Sequence, residues 1–422
     1  MGIEETLKFI HGVKWQGSKP GLSRTRALLA SLGNPEKSLK FVHIAGTNGK
    51  GSTAACIASV LQYAGYNTGL YISPFVLRFN ERMQFNGEHI TDDELVKLID
   101  EIRPHADAME DSPTEFEIIT ALAMKYFVYK GCDIVVLEVG MGGELDSTNV
   151  IGTPEAAVIT TIGYDHVNEL GPELTDIAGA KAGIIKEKTD VVIYGGTDEV
   201  IGVFERVCEE RGAALRYADF SRISNQELSL EGIAFDFAPY GRVELPLAGA
   251  YQAKNAALAI STLELLREKG YKIENKHISG GLKKVRWPGR FECLGTEPVF
   301  ILDGAHNPQA FEATASSLRG HFDDKKIVFI LGVMADKDVD SMIRPIAPIA
   351  ELFIAVRPDN LRAMETKTLA ERLRVYDVPV IECAAVSDGV TEAIHQAGPN
   401  GTICAMGSLY FSRQIRSAYD RG

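Results

Sequence analysis

The sequence predicts an α/β protein: a P-loop ATPase domain with a mostly parallel sheet, then a smaller C-terminal Rossmann-like α/β domain. Three observations lead there. Apolar β-type runs alternate with segments of helical spacing along the chain. A glycine-rich loop with a lysine joins an early strand to a helix. A length of 422 residues is too great for one ordinary core, so two domains are expected. The expected division is 1–294 for the ATP-binding domain and 295–422 for the second.

Phe41-Val42-His43-Ile44-Ala45 reads as a buried strand. Gly46-Thr47-Asn48-Gly49-Lys50-Gly51-Ser52 follows at once. Ala54, Ile57, Ala58, Leu61 and Ala64 then fall at helical spacing, and Gly65 can end the helix. Strand, glycine loop, lysine and helix in that order build a phosphate cradle. Glycines let backbone N–H groups turn toward an anion, and the helix N-terminus and Lys50 add positive potential. The spelling departs from the commonest P-loop, because Gly51 separates Lys50 from Ser52. The alternative is a plain glycine turn before a helix. The order of parts favours a nucleoside triphosphate site.

A short strand is expected at 68–72 and a polar loop at 73–87. Thr91-Asp92-Asp93-Glu94 and Thr114-Glu115-Phe116-Glu117 each open a helix as a capping box. Strands follow at 133–139, 156–162 and 191–194. The polar, alternating stretch 215–246 predicts small antiparallel strands, and a helix covers 253–269. Residues 295–298 read as a linker. A second series of strands lies at 299–303, 326–332, 352–356, 378–383 and 402–406. It carries no GxGxxG, so dinucleotide binding is not supported.

A net charge of −13 argues against a dominant nucleic-acid or anionic-membrane surface. The six cysteines are far apart and form no CxxC pair, which suggests buried thiols in a reducing compartment. The acidic opening Met1-Gly2-Ile3-Glu4-Glu5 lacks the apolar core of a signal peptide, and no apolar run reaches membrane-spanning length. The expected location is the cytoplasm.

Several residues sit where strands end, the edge at which open parallel sheets gather ligands. Glu138 stands before Val139-Gly140-Met141-Gly142-Gly143 and suits Mg²⁺ beside phosphates; a carboxylate resting on a backbone amide is the alternative. His166 and Ser73 follow neighbouring strands and offer further ligands, although a loop histidine is more often an ordinary hydrogen-bonding residue. Lys181 lies among small residues, which suits a lowered pKa, phosphate binding or a carbamate, against a snorkelling side chain. Asp303-Gly304-Ala305-His306-Asn307-Pro308 suits ligand contact or a plain N-capping turn, and Arg290 suits phosphate or a linker salt bridge.

Together these words resemble the folylpolyglutamate synthase/dihydrofolate synthase family of the Mur ligase superfamily. The P-loop spelling is joined by Tyr71-Ile72-Ser73-Pro74, Arg78-Phe79-Asn80-Glu81-Arg82, the Glu138–Gly143 stretch, Lys181-Ala182-Gly183-Ile184, Trp287-Pro288-Gly289-Arg290, the Asp303–Pro308 stretch and Gly407-Ser408-Leu409-Tyr410. They occur in family order across nearly the whole chain. The resemblance implies a Mur-ligase-like first domain, a glutamate-ligase second domain, and a set of partners: ATP, two Mg²⁺ ions, a reduced folate or dihydropteroate, and L-glutamate. It implies a monomer and an acyl phosphate intermediate shielded by domain closure. Asn48, Gly49, Lys50, Gly51 and Ser52 would hold ATP, with Asn255, Arg290 and Asp303. Ser73, Glu138 and His166 would ligate Mg²⁺. Lys50, Lys181 (carbamylated in the family) and His306 would serve catalysis. Thr114, Glu115, Phe116, Glu117, Leu145, Asp146 and Ser147 would line the pterin pocket. Phe75, Tyr251 and Glu144 depart from residues common in relatives, which touches the fine contacts. A peptidoglycan-precursor ligase and a non-catalytic nucleotide switch are the competing readings.

Overall fold

The computed structural model describes residues 2–12, 20–323 and 325–420. They form two compact units: 2–221 with 255–282, and 222–254 with 283–420. These units divide the chain differently from the expected boundary after residue 294, because the segment 222–254 groups with the C-terminal strands.

The first unit holds eight strands: β1 (Phe41–Ala45), β2 (Thr68–Tyr71), β3 (Met83–Phe85), β4 (Glu88–His89), β5 (Ile134–Glu138), β6 (Ala156–Ile159), β7 (Asp190–Ile193) and β8 (Ala214–Tyr217). Their order is β4-β3-β2-β5-β1-β6-β7-β8, parallel from β2 to β8. All five residues of β1 and of β5 are buried, as strands covered on both faces require. Chain direction across the sheet reverses at β1. The chain first leaves it toward β2 and β5, then crosses to β6 on its other side. That reversal opens a crevice at the strands' C-terminal ends, where the P-loop emerges. One face packs Leu95, Leu98, Ile118, Leu122 and Phe127 against Tyr71, Val135 and Leu137. On the same face, beyond β1, Ala178 and Phe204 pack against Ala157, Ile159 and Val191.

Three expectations need correction. Residues 73–87 are not simply a loop: they contain the 3₁₀ turn Phe79–Arg82 and then β3, which adds antiparallel to β2. The turn is held by Glu81, whose carboxylate accepts from the N–H groups of Val76, Leu77 and Arg78. Residues 215–217 belong to β8, paired parallel with β7, so the small antiparallel sheet begins later. It comprises β9 (Ile223–Ser229), β10 (Gly232–Phe237) and β11 (Gly241–Leu245). Residues 295–298 are no linker. They close a hairpin between β12 (Glu292–Thr296) and β13 (Val299–Leu302).

The second unit adds β14 (Ile327–Leu331), β15 (Ala350–Ala355), β16 (Val380–Glu382) and β17 (Thr402–Met406). The order β12-β13-β17-β14-β15-β16 is parallel except at β12. The Thr91 and Thr114 capping boxes are both present, and Pro308 stands in the first turn of the helix Pro308–Phe322.

Candidate active site

The loop between β1 and the helix Lys50–Tyr63 wraps a small space with backbone. Gly46 has φ +145, and a Cβ there would lie 1.8 Å from Thr160 Oγ1. Gly49, at φ +86, would bring a Cβ within 2.6 Å of Asn255 Oδ1. Both positions therefore exclude side chains, and Asn255 stands against the cradle. The loop is tied to the segment after β6. Thr47 N donates to Thr161 O at 2.7 Å, and the Thr47 hydroxyl exchanges two 3.1 Å bonds with Gly163. Thr161 Oγ1 donates to Asn48 O. Gly51 and Ser52 are buried in the first helical turn, so what they offer an anion is mainly backbone N–H.

Two ammonium groups converge here. Lys50 Nζ donates to Gly46 O at 3.0 Å and to Thr47 O at 3.1 Å. Lys181, from the helix Leu174–Ala182, donates to the same Gly46 O at 2.9 Å. Lys181 is 5 % exposed. Burial, then the charge of Lys50, brings its pKa down to about 7. It is a close-packed amine and does not snorkel.

At the end of β5, Glu138 is buried and accepts from Ser73 N at 3.2 Å. Ser73 Oγ in turn accepts from Arg82 Nη1 at 3.1 Å. The Arg82 guanidinium lies over the rings of Phe75 and Phe79, which gives the unexpected Phe75 a role. His166 opens the short helix Val167–Leu170 in a left-handed conformation, with ring nitrogens 4.0 Å from Asp165 and Glu169 carboxylate oxygens. Among the described residues no group of three or more His, Cys, Asp or Glu side chains is spaced to hold a metal. A carboxylate and a hydroxyl side by side nevertheless fit Mg²⁺, which takes few protein oxygens and completes its shell with phosphate and water.

The segments expected to line a pterin pocket are mostly occupied with structural work. Thr114 caps the helix Glu115–Tyr129. Glu117, 2 % exposed, pairs with the buried Arg24, Oε1 lying 3.0 Å from Nη2. Glu115 accepts from or faces His11 Nδ1 at 3.0 Å. Phe116 packs its ring near Tyr71, centroids 6.3 Å apart. Leu145 is exposed and Ser147 buried. Asp146 is buried, which pushes its carboxyl above the usual range, and it accepts from Met141 N, Thr148 N and Thr148 Oγ1.

In the second unit, Asp303 follows β13 and is buried. Its oxygens accept from Tyr251 OH at 3.0 Å, Phe291 N at 2.8 Å and Ala305 N at 2.7 Å. Tyr251, a departure noted in the sequence, is thus the phenol that holds Asp303. Arg290 Nη1 reaches Gly304 O at 3.5 Å, and His306 Nδ1 lies 2.8 Å from the same carbonyl. Asn307 caps the helix Pro308–Phe322 through Ala310 N.

Sequence reasoning missed Arg24, Arg82 and Thr148. Arg24 lies 93 residues from its partner, so no local spacing could reveal it. Arg82 sits inside a quoted motif but had no assigned role.

Two family models match the chain: "Mur ligase middle domain" over residues 44–263 and "Mur ligase, glutamate ligase domain" over 289–409. A Bacillus subtilis dihydrofolate synthase/folylpolyglutamate synthase is 38 % identical over 98 % of both chains. The Mycobacterium tuberculosis folylpolyglutamate synthase solved with ADP and AMPPCP is 30 % identical, with a TM-score of 0.91 over 100 % of this chain and 99 % of that one. Escherichia coli FolC solved with DHPP and ADP is 27 % identical, with a TM-score of 0.87 over 100 % and 98 %. The chain belongs to the folylpolyglutamate synthase/dihydrofolate synthase family of Mur ligases and is an ATP-dependent ligase.

Proposed function

We propose that this ligase joins L-glutamate to the carboxyl group of a reduced folate, forming a γ-glutamyl amide with release of ADP and phosphate. The observation that carries the reading is the convergence of Lys50 and Lys181 on Gly46 O beneath a glycine cradle. Lys50 and the cradle N–H groups call for an anion, and Lys181 beside them can give up its own charge near pH 7. The triphosphate supplies that anion, with the cradle N–H groups and Lys50 on the β- and γ-phosphates.

A carboxylate oxygen of the acceptor attacks the γ-phosphorus, and ADP leaves with the electrons of the broken P–O bond. The acyl phosphate now has an electrophilic carbon. The neutral amine of glutamate attacks it, phosphate departs, and the amine proton passes to solvent. Lys50 offsets the negative charge that builds on the β–γ bridging oxygen as it leaves with ADP. In this reading Ser73, Glu138 and His166 hold Mg²⁺, which when bound spreads the phosphoryl charge. Asn255 lies against the cradle, within reach of a nucleotide there. Lys181, with its pKa near 7, is available as the free amine that a carbamate requires. Arg290, Asp303 and His306 are the second unit's proposed contributions.

The Bacillus subtilis relative carries both activities in its name, which favours a bifunctional enzyme that also converts dihydropteroate to dihydrofolate. Six free cysteines, four of them buried, suit the cytoplasm. No described helix is long and apolar enough to cross a membrane. Mass spectrometry of products from dihydropteroate and from tetrahydrofolate, each with ATP and glutamate, tests the proposal. Glutamyl adducts of both are expected. No adduct of either would refute it.

A further inference from the structure

His43 is a histidine inside a central strand, three residues before Gly46, and it is 0 % exposed. The reaction above gives it no part. Its Nε2 lies 2.9 Å from Thr148 Oγ1, itself 0 % exposed. Thr148 Oγ1 donates onward to Asp146 Oδ1 at 2.5 Å, and Asp146 Oδ2 accepts from Met141 N at 2.9 Å. The same turn is anchored by Asn149, whose amide donates to Glu144 O and to Gly183 O. A buried polar line therefore runs from β1 to the loop that follows Glu138, and the turn also grips the end of the helix that carries Lys181.

The line has a direction. A hydroxyl has one proton. If Thr148 donates it to Asp146, its oxygen needs a donor, and the only one on the line is His43 Nε2–H. His43 Nδ1 has no hydrogen-bond partner among the described residues, which marks it as the bare nitrogen. In the opposite tautomer Nε2 would demand the Thr148 proton. Asp146 would then lose its hydroxyl donor and His43 would bury an orphan N–H. Burial holds His43 down to about 3, with Lys186 adding to the effect, so the ring stays neutral.

We propose that His43, acting through Thr148, is a positioning residue: it fixes the donor that holds the Asp146 carboxylate, and with it the turn after Glu138, in the place that an acceptor meets. This rests on the folate-ligase reading, in which the turn around Asp146 lines the acceptor pocket. The device adds selectivity for the acceptor and leaves nucleotide binding alone.

The test uses the full chain. Long-range ¹H–¹⁵N spectra at pH 7 read the His43 tautomer, and steady-state kinetics read acceptor KM, ATP KM and kcat for Thr148→Val and Thr148→Ser. The expected results are protonated Nε2 and bare Nδ1. Thr148→Val should raise acceptor KM about tenfold with ATP KM and kcat little changed, and Thr148→Ser should restore it. His43→Gln serves as an independent break should Thr148→Val fold poorly. A protonated Nδ1, or wild-type acceptor KM in both folded breaks, overturns the proposal. Absence of any acceptor turnover in the unaltered protein refutes the folate-ligase reading instead, and the tautomer then judges the hydrogen-bond line by itself.

Discussion

The two parallel sheets end on loops of opposite character. After β1, Lys50 and Lys181 share one carbonyl oxygen, and burial has already weakened the hold of Lys181 on its proton. After β13, Asp303 already accepts from a phenol and two backbone N–H groups. The first rim is crowded with positive charge and gains from an arriving anion. The second is settled before any ligand comes. Side chains at the first rim should therefore govern chemistry more than stability, and those at the second should govern stability at least as much.

The largest expected effect is at Lys50. Lys50→Ala should lower kcat by about 10³-fold, since a charge aimed at the transferring phosphoryl group is removed. Equilibrium unfolding should change little. A variant with near-normal turnover would erase the contrast between the rims.

Lys181 comes next. Its pKa of about 7 makes the unmodified amine increasingly protonated below that pH. A protonated amine cannot take up CO₂, so turnover should fall about tenfold per pH unit below 7, and added bicarbonate should raise it near pH 7. Stability has its own sign. The unfolded chain keeps this proton up to the ordinary lysine value of 10.5, whereas the folded chain sheds it near 7. The unfolded state binds more protons in that window, so unmodified protein gains stability as pH rises from about 7 to 10.5. A flat activity profile between pH 6 and 8, insensitive to bicarbonate, would argue against the carbamate.

Gly46 sharpens the comparison from the backbone side. Gly46→Ala places a Cβ against Thr160 in a strained conformation and should cost roughly 3 kcal/mol by denaturant unfolding, with loss of nucleotide binding. The smallest effect belongs to the second rim. Tyr251→Phe removes one of three donors from Asp303 and should cost about 1 kcal/mol, with kcat within a few-fold of normal.

The sequence made the first rim's parts legible because each lies just past an apolar strand. Glycine spacing marked the cradle, and capping boxes marked two helix starts. What stayed hidden depends on partners far away in the chain. Glu117 was visible as a cap but not as the buried partner of Arg24, and Asp146 was visible as a motif residue but not as the end of a line from His43. The hairpin at β12 escaped because Gly295 to Pro298 looks like a break, whereas Gly295 pairs within the strand and leaves room for the Tyr419 hydroxyl against it.

The central claim is that an acceptor carboxylate is phosphorylated by ATP before glutamate attacks. Turnover of an acceptor labelled with ¹⁸O in both carboxyl oxygens, followed by ³¹P NMR of the released phosphate, tests it most directly. One ¹⁸O in the phosphate, with the other retained in the amide, is the predicted result. Phosphate free of ¹⁸O would contradict the account.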